Sequence, residues 1–64
     1  MAGVSEREAL GRAVRATRIE RGLSQEALAE SAGIQRPTLS AIERGSSDAR
    51  VQTIFRLAEA MDLK

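Results

Sequence analysis

Arginine carries most of the recognition chemistry open to this chain: nine of its ten cations are Arg, and the tenth is Lys64. A guanidinium is a planar fork of donors that grips a phosphate or a guanine edge at two points, whereas an ammonium is a point charge. The same Arg excess, with eleven Ala beside it, is what a GC-rich genome would produce, so the count alone does not decide a function. Other chemistries are closed more firmly. Histidine and cysteine are absent, which removes disulfides, the usual zinc, haem and iron–sulfur ligands and the two most versatile catalytic side chains. Glu26 and Glu30 stand four residues apart on one helix face, but like charges at that spacing repel mildly and mark a solvated surface. No enzymatic activity and no cofactor are expected. Trp and Tyr are missing and there is one Phe, so the aromatic platforms on which single strands stack cannot be built.

These side chains need elements to hold them, and 64 residues allow one domain, 1–64, with a small core. The formal charge of +1 gives no strong global field, so anion binding must come from local clustering. Gly22, Gly33 and Gly45 punctuate the chain, and the intervals between them are rich in Ala, Glu, Arg, Leu and Gln, which favour helix, while period-2 alternation is missing. The pattern predicts an all-α, compact bundle of four short helices at about 5–21, 24–31, 36–44 and 49–61. Ser5 and Glu8 form a capping box for the first, and Ser24 caps the second. Pro37 is tolerated in the first turn of the third, where its missing N–H has no intrahelical partner anyway. Asp48 is the expected N-cap of the fourth. The second and third helices, joined through Ala32-Gly33-Ile34, form a helix-turn-helix candidate.

The stretch Leu23-Ser-Gln-Glu-Ala-Leu-Ala-Glu-Ser-Ala-Gly-Ile-Gln-Arg-Pro-Thr-Leu-Ser-Ala-Ile-Glu-Arg-Gly45 resembles the phage-repressor and Cro type (XRE-like) helix-turn-helix family. Ser-Gln opens the second helix, Leu-Ala sits within it, Gly makes the turn and Ile-Glu-Arg-Gly closes the third. The likeness extends to Leu10–Arg18 and Val51–Met61. It implies a lambda-repressor-like fold in which the third helix enters the DNA major groove and the second crosses the backbone. Advancing about 100° per residue, Arg36, Ser40, Arg44, Pro37 and Ala41 share one face of the third helix, and Leu39 and Ile42 the opposite one. The resemblance thus implies base reading by Gln35 and Arg36, suited to adenine and guanine respectively, with Ser40, Pro37 and Ala41 along the same face. It implies phosphate contacts by Gln25, Arg44, Ser46, Ser47 and Arg50, Gln25 also bracing the start of the third helix. Asp-Ala stands at 48–49 where the family often has Asn-Pro, and a carboxylate facing phosphate would repel it, so Asp48 is given a capping role only. The positions of Arg18 and Glu43 correspond to an ion pair tying the first helix to the third.

Such small modules bind DNA in pairs, two half-sites lying about one helical turn apart. On the fourth helix the apolar residues from Leu57 round to Phe55 span an arc of about 160°, wider than the roughly 100° stripe a surface helix needs. Ile54, Leu57, Ala58 and Met61 are claimed for the core. Phe55 is left at the rim and Leu63 lies beyond the helix end, and both are read as contacts of a homodimer, the alternative being that Phe55 folds back over the first helix. The family frequently adds a fifth helix after the position of Leu63. The expected function is a sequence-specific transcriptional regulator on double-stranded DNA in the bacterial cytoplasm or nucleoid, with no membrane span and no small-molecule ligand. The competing reading is an antitoxin-like or coactivator-like module that keeps the fold but works by binding a protein.

Overall fold

The computed structural model describes residues 5–62, and Leu63 lies outside them. Four helices follow one another: α1 (Glu6–Glu20), α2 (Gln25–Ala32), α3 (Arg36–Glu43) and α4 (Val51–Ala60). Among the described residues there is no strand, so the all-α expectation holds. The Ser5 hydroxyl accepts from the Glu8 amide at 3.2 Å and the Glu8 carboxylate from the Ser5 amide at 3.0 Å, the reciprocal capping box. These bonds, together with the charges of Arg12 and Arg7, hold the Glu8 carboxyl below its usual range. Ser24 caps α2 by accepting from the Ala27 amide at 3.0 Å. Gly33 then reverses the chain with φ +70°, a left-handed conformation that a side chain at this position would strain.

Most helix ends are trimmed relative to the sequence reading, because Ser5, Arg21, Ser24, Arg44 and Met61 serve as flanking caps rather than helical residues, whereas α2 runs one residue further, to Ala32. The fourth helix needs a larger correction. It starts at Val51, its N-cap is Arg50 with no capping side chain, and Asp48 does not cap it. Instead Asp48 lies 3.7 Å from the Arg7 guanidinium, while Ala49 packs against the core. With Ala49 packed there and Arg50 extended, the helix begins three residues after Asp48, whose contact with Arg7 is an exposed surface pair.

The core is built by Val14 of α1, Leu28, Ala29 and Ala32 of α2, Leu39 and Ile42 of α3, and Leu57 and Met61 at the end of α4. Leu28, Leu39 and Leu57 are fully enclosed. Helix α1 reaches α3 through a glycine: a Cβ on the buried Gly11 would run into the Ile42 carbonyl oxygen and stand 2.8 Å from that of Glu43. Gly45 makes a second close approach, since a Cβ there would lie 2.8 Å from Glu8 Cα. Helix α1 is thereby clamped against the C-terminal end of α3. Ile54 and Ala58 of α4 are half-buried, whereas Val51 is 72% and Phe55 66% exposed. Phe55 therefore does not fold back over α1.

Candidate nucleic-acid interface

Helix α3 presents one face to solvent because the other is pinned. Leu39 and Ile42 point into the core, which leaves Gln35, Arg36, Pro37 and Thr38 exposed at the N-terminal end and Arg44 exposed at the C-terminal end. Ser40 and Ala41, between them, are half-buried and small. The Arg36 guanidinium makes no hydrogen bond or ion pair within the described residues, so its fork of donors is free for a ligand. Arg44 instead folds along the helix, Nη1 donating to Ser40 Oγ at 2.9 Å. Of the exposed first turn of α3 the sequence reading named Gln35, Arg36 and Pro37 but not Thr38, which lies off the stripe it followed.

Behind this face lies a polar network. Arg18 donates from Nε to Glu43 Oε2 at 2.7 Å and from Nη2 to Oε1 at 3.0 Å, and from Nη1 to the Leu23 carbonyl at 2.9 Å. Gln25 donates from Nε2 to Glu43 Oε1 at 3.1 Å, so it braces the last residue of α3 and not, as the resemblance implied, the start of that helix. The Glu43 side chain is 2% exposed and that of Arg18 12%, so α1 and α2 both donate to one buried carboxylate of α3, while Arg18 also holds the α1–α2 turn through the Leu23 carbonyl. Burial pushes the Glu43 carboxyl up, but the hydrogen bonds from Arg18 and Gln25, with the charges of Arg18 and Arg15, outweigh it and hold the group below its usual value of 4.5. The bond to Glu43 raises Arg18 in turn. No buried side-chain polar atom among the described residues lacks a partner, as a native interior requires.

The loop after α3 carries the other residues read as phosphate contacts. Ser46 is fixed by its hydroxyl, which donates to the Ala41 carbonyl at 3.2 Å, and by its amide, which donates to the same oxygen at 3.0 Å. Ser47 is half-buried and Arg50 exposed beside it. Among the described residues no group of acidic side chains could hold a metal, and no helix is long and apolar enough to cross a membrane.

Comparison with known proteins adds to this geometry. A helix-turn-helix family model matches residues 14–64. The chain belongs to that family. Among solved structures, the restriction-modification controller protein C.AhdI from Aeromonas hydrophila is 33% identical, the match covering 95% of this chain and 92% of that one with a TM-score of 0.91. The clp gene regulator ClgR from C. glutamicum is 29% identical over 97% of this chain and 80% of that one, TM-score 0.92. The controller protein C.Esp1396I, solved as a tetramer in complex with its natural 35 base-pair operator, shares the fold at 21% identity over 97% of this chain and 82% of that one, TM-score 0.89. No curated protein sequence matches the chain. In this helix-turn-helix chain α2 and α3 are the paired helices, and Gly33 is the turn.

Proposed function

We propose that this chain is a transcriptional regulator that binds double-stranded DNA sequence-specifically, α3 lying in the major groove and α2 crossing the backbone, as a homodimer on a palindromic site. The observation that carries the reading is the exposed first turn of α3. Gln35 and Arg36 stand free on a helix whose opposite face is locked into the core, and such side chains read adenine and guanine edges. Phosphate contacts fall to Gln25 at the start of α2 and to Arg44, Ser46, Ser47 and Arg50 beyond α3, which position the protein without reading sequence. Membership of the helix-turn-helix family supports the reading, as do two relatives that are themselves a controller protein and a gene regulator. The dimer rests on Val51 and Phe55, exposed one turn apart on α4. They adjoin a shallow apolar groove of about 140 Å³ between α1 and α4, lined by Leu10, Ala13, Thr17, Ile54 and Ala58 among others. An exposed apolar patch of this kind suits a two-fold contact, in which it meets its own copy.

The same exposed pair of apolar side chains is what a protein-binding module would use. A salt series separates the two. Affinity for a mixed-sequence duplex, measured by fluorescence anisotropy, should fall linearly in log–log form as salt rises, through counterion release. Failure to bind duplex at low salt, or binding indifferent to salt, would reject the DNA reading.

A further inference from the structure

The Arg18–Glu43 pair has the geometry of a structural tie, yet Glu43 Oε1 is shared: it accepts from Arg18 Nη2 at 3.0 Å and from Gln25 Nε2 at 3.1 Å. A carboxamide presents nearly the same outline with nitrogen and oxygen exchanged, so a free Gln can turn either end outward. A carboxylate partner accepts only, and therefore holds the nitrogen against itself. Gln25 is the first residue of α2, where the amides of the opening turn have no intrahelical partner and a helix dipole favours an anion. Ser24 already serves the Ala27 amide, which leaves the Gln25 and Glu26 amides unmatched. The second N–H of Gln25 Nε2 also has no partner among the described residues. A phosphate at this turn would meet several donors at once, provided that the carboxamide keeps its oxygen turned away. The nearby Glu26 carboxylate makes that orientation matter more, since a further oxygen facing the phosphate would repel it.

Resting on the DNA-binding reading, we infer that Glu43 is a positioning residue for DNA: by taking one N–H of the Gln25 carboxamide it fixes the plane of that group, so that the second N–H is held for a backbone phosphate, and Arg18 in turn fixes Glu43. The tie between α1 and α3 and the phosphate contact of α2 are then one device. Glu43 touches no DNA; its effect is read only through Gln25.

The test is a cycle of variants measured by duplex binding. In the parent chain Gln25→Ala should weaken binding about tenfold, the worth of one hydrogen bond to a charged group. Arg18→Met with Glu43→Leu removes both charges together, so neither is stranded and the fold is expected to survive, which circular dichroism checks. On that background Gln25→Ala should weaken binding by no more than about twofold, because an unanchored carboxamide contributes little. A purely structural pair would lower affinity overall but leave the tenfold increment of Gln25 unchanged, and that result overturns the inference while the DNA reading stands. No effect of Gln25→Ala in the parent overturns it too, whereas no duplex binding by the parent rejects the reading beneath it. Should the apolar double variant not fold, Arg18→Leu with Glu43→Met keeps an unbranched side chain of similar size at 43 and removes the oxygen to which Gln25 donates. There the Gln25→Ala effect must again be smaller than in the parent, and an equal effect overturns the inference.

Discussion

Truncating Arg36 and truncating Gln25 should produce different failures. Arg36→Ala is expected to cost about 1–3 kcal/mol of specific binding and to relax preference at one base pair per half-site, as loss of a bidentate base contact does. Quantitative binding to operators mutated one pair at a time checks this, and uniform weakening on every sequence would make Arg36 a phosphate contact. Gln25→Ala and Arg44→Ala should instead lower affinity for specific and random duplex alike. The buried pair has its own signature. Arg18→Met alone strands a carboxylate that is 2% exposed, an arrangement that costs about 3–5 kcal/mol, and making Glu43 apolar as well should recover much of the lost melting temperature. Additive losses would mean that the two side chains do not interact. The pair also sets an acid limb. Glu43 sits below its usual value of 4.5 in the folded chain, so its contribution is fully present above about pH 4.5 and is lost as pH falls through the folded value. Melting temperature should therefore drop on acidification below about 4.5 more steeply in the parent than in the Arg18→Met, Glu43→Leu double variant.

Among the elements, the crossing of α1 over α3 makes the sharpest demand. Gly11→Ala puts a methyl group into the carbonyl oxygens of Ile42 and Glu43, and because backbone cannot yield as a flexible side chain does, we expect a loss of about 1–3 kcal/mol. Chemical denaturation measures it, and an unchanged midpoint would mean that the two helices are less close. The sequence reading treated glycines as helix ends and passed over Gly11, although a glycine within a helix is itself a signal of close backbone approach. Local signals were otherwise well read: the Ser5–Glu8 box, the Ser24 cap and the Gly33 turn depend on neighbours three or four residues away, which a sequence displays. Asp48 was misread because the packing of Ala49 against the core, a tertiary contact that no local rule reports, precedes a helix that starts only at Val51. The carboxylate of Glu43 showed as an edge position on α3 and, through the family resemblance, as the partner of Arg18. Its hydrogen bond to Gln25 depends on how α2 docks and left no mark in the spacing.

At the scale of the whole molecule, α1 and α3 are clamped through Gly11 and Glu43, and α4 closes the core with Leu57 and Met61 while turning Val51 and Phe55 to solvent. One face of the domain is thus cationic and free, and another apolar and free. Phe55→Glu should give a folded monomer with greatly weakened operator binding, because a charge placed in an apolar two-fold contact meets its own copy. Light scattering on both proteins checks it: a mutant that stays dimeric, or a parent that is monomeric at high concentration, would remove the dimer contact. If the exposed start of α3 reads duplex sequence in two symmetric copies, the sequences it retains carry that symmetry. Selection of bound sequences from a random duplex pool at physiological salt tests it most directly. We expect enrichment of a palindrome whose half-sites are centred about one helical turn apart; a pool that remains random after repeated rounds, despite retention of the protein, would contradict it.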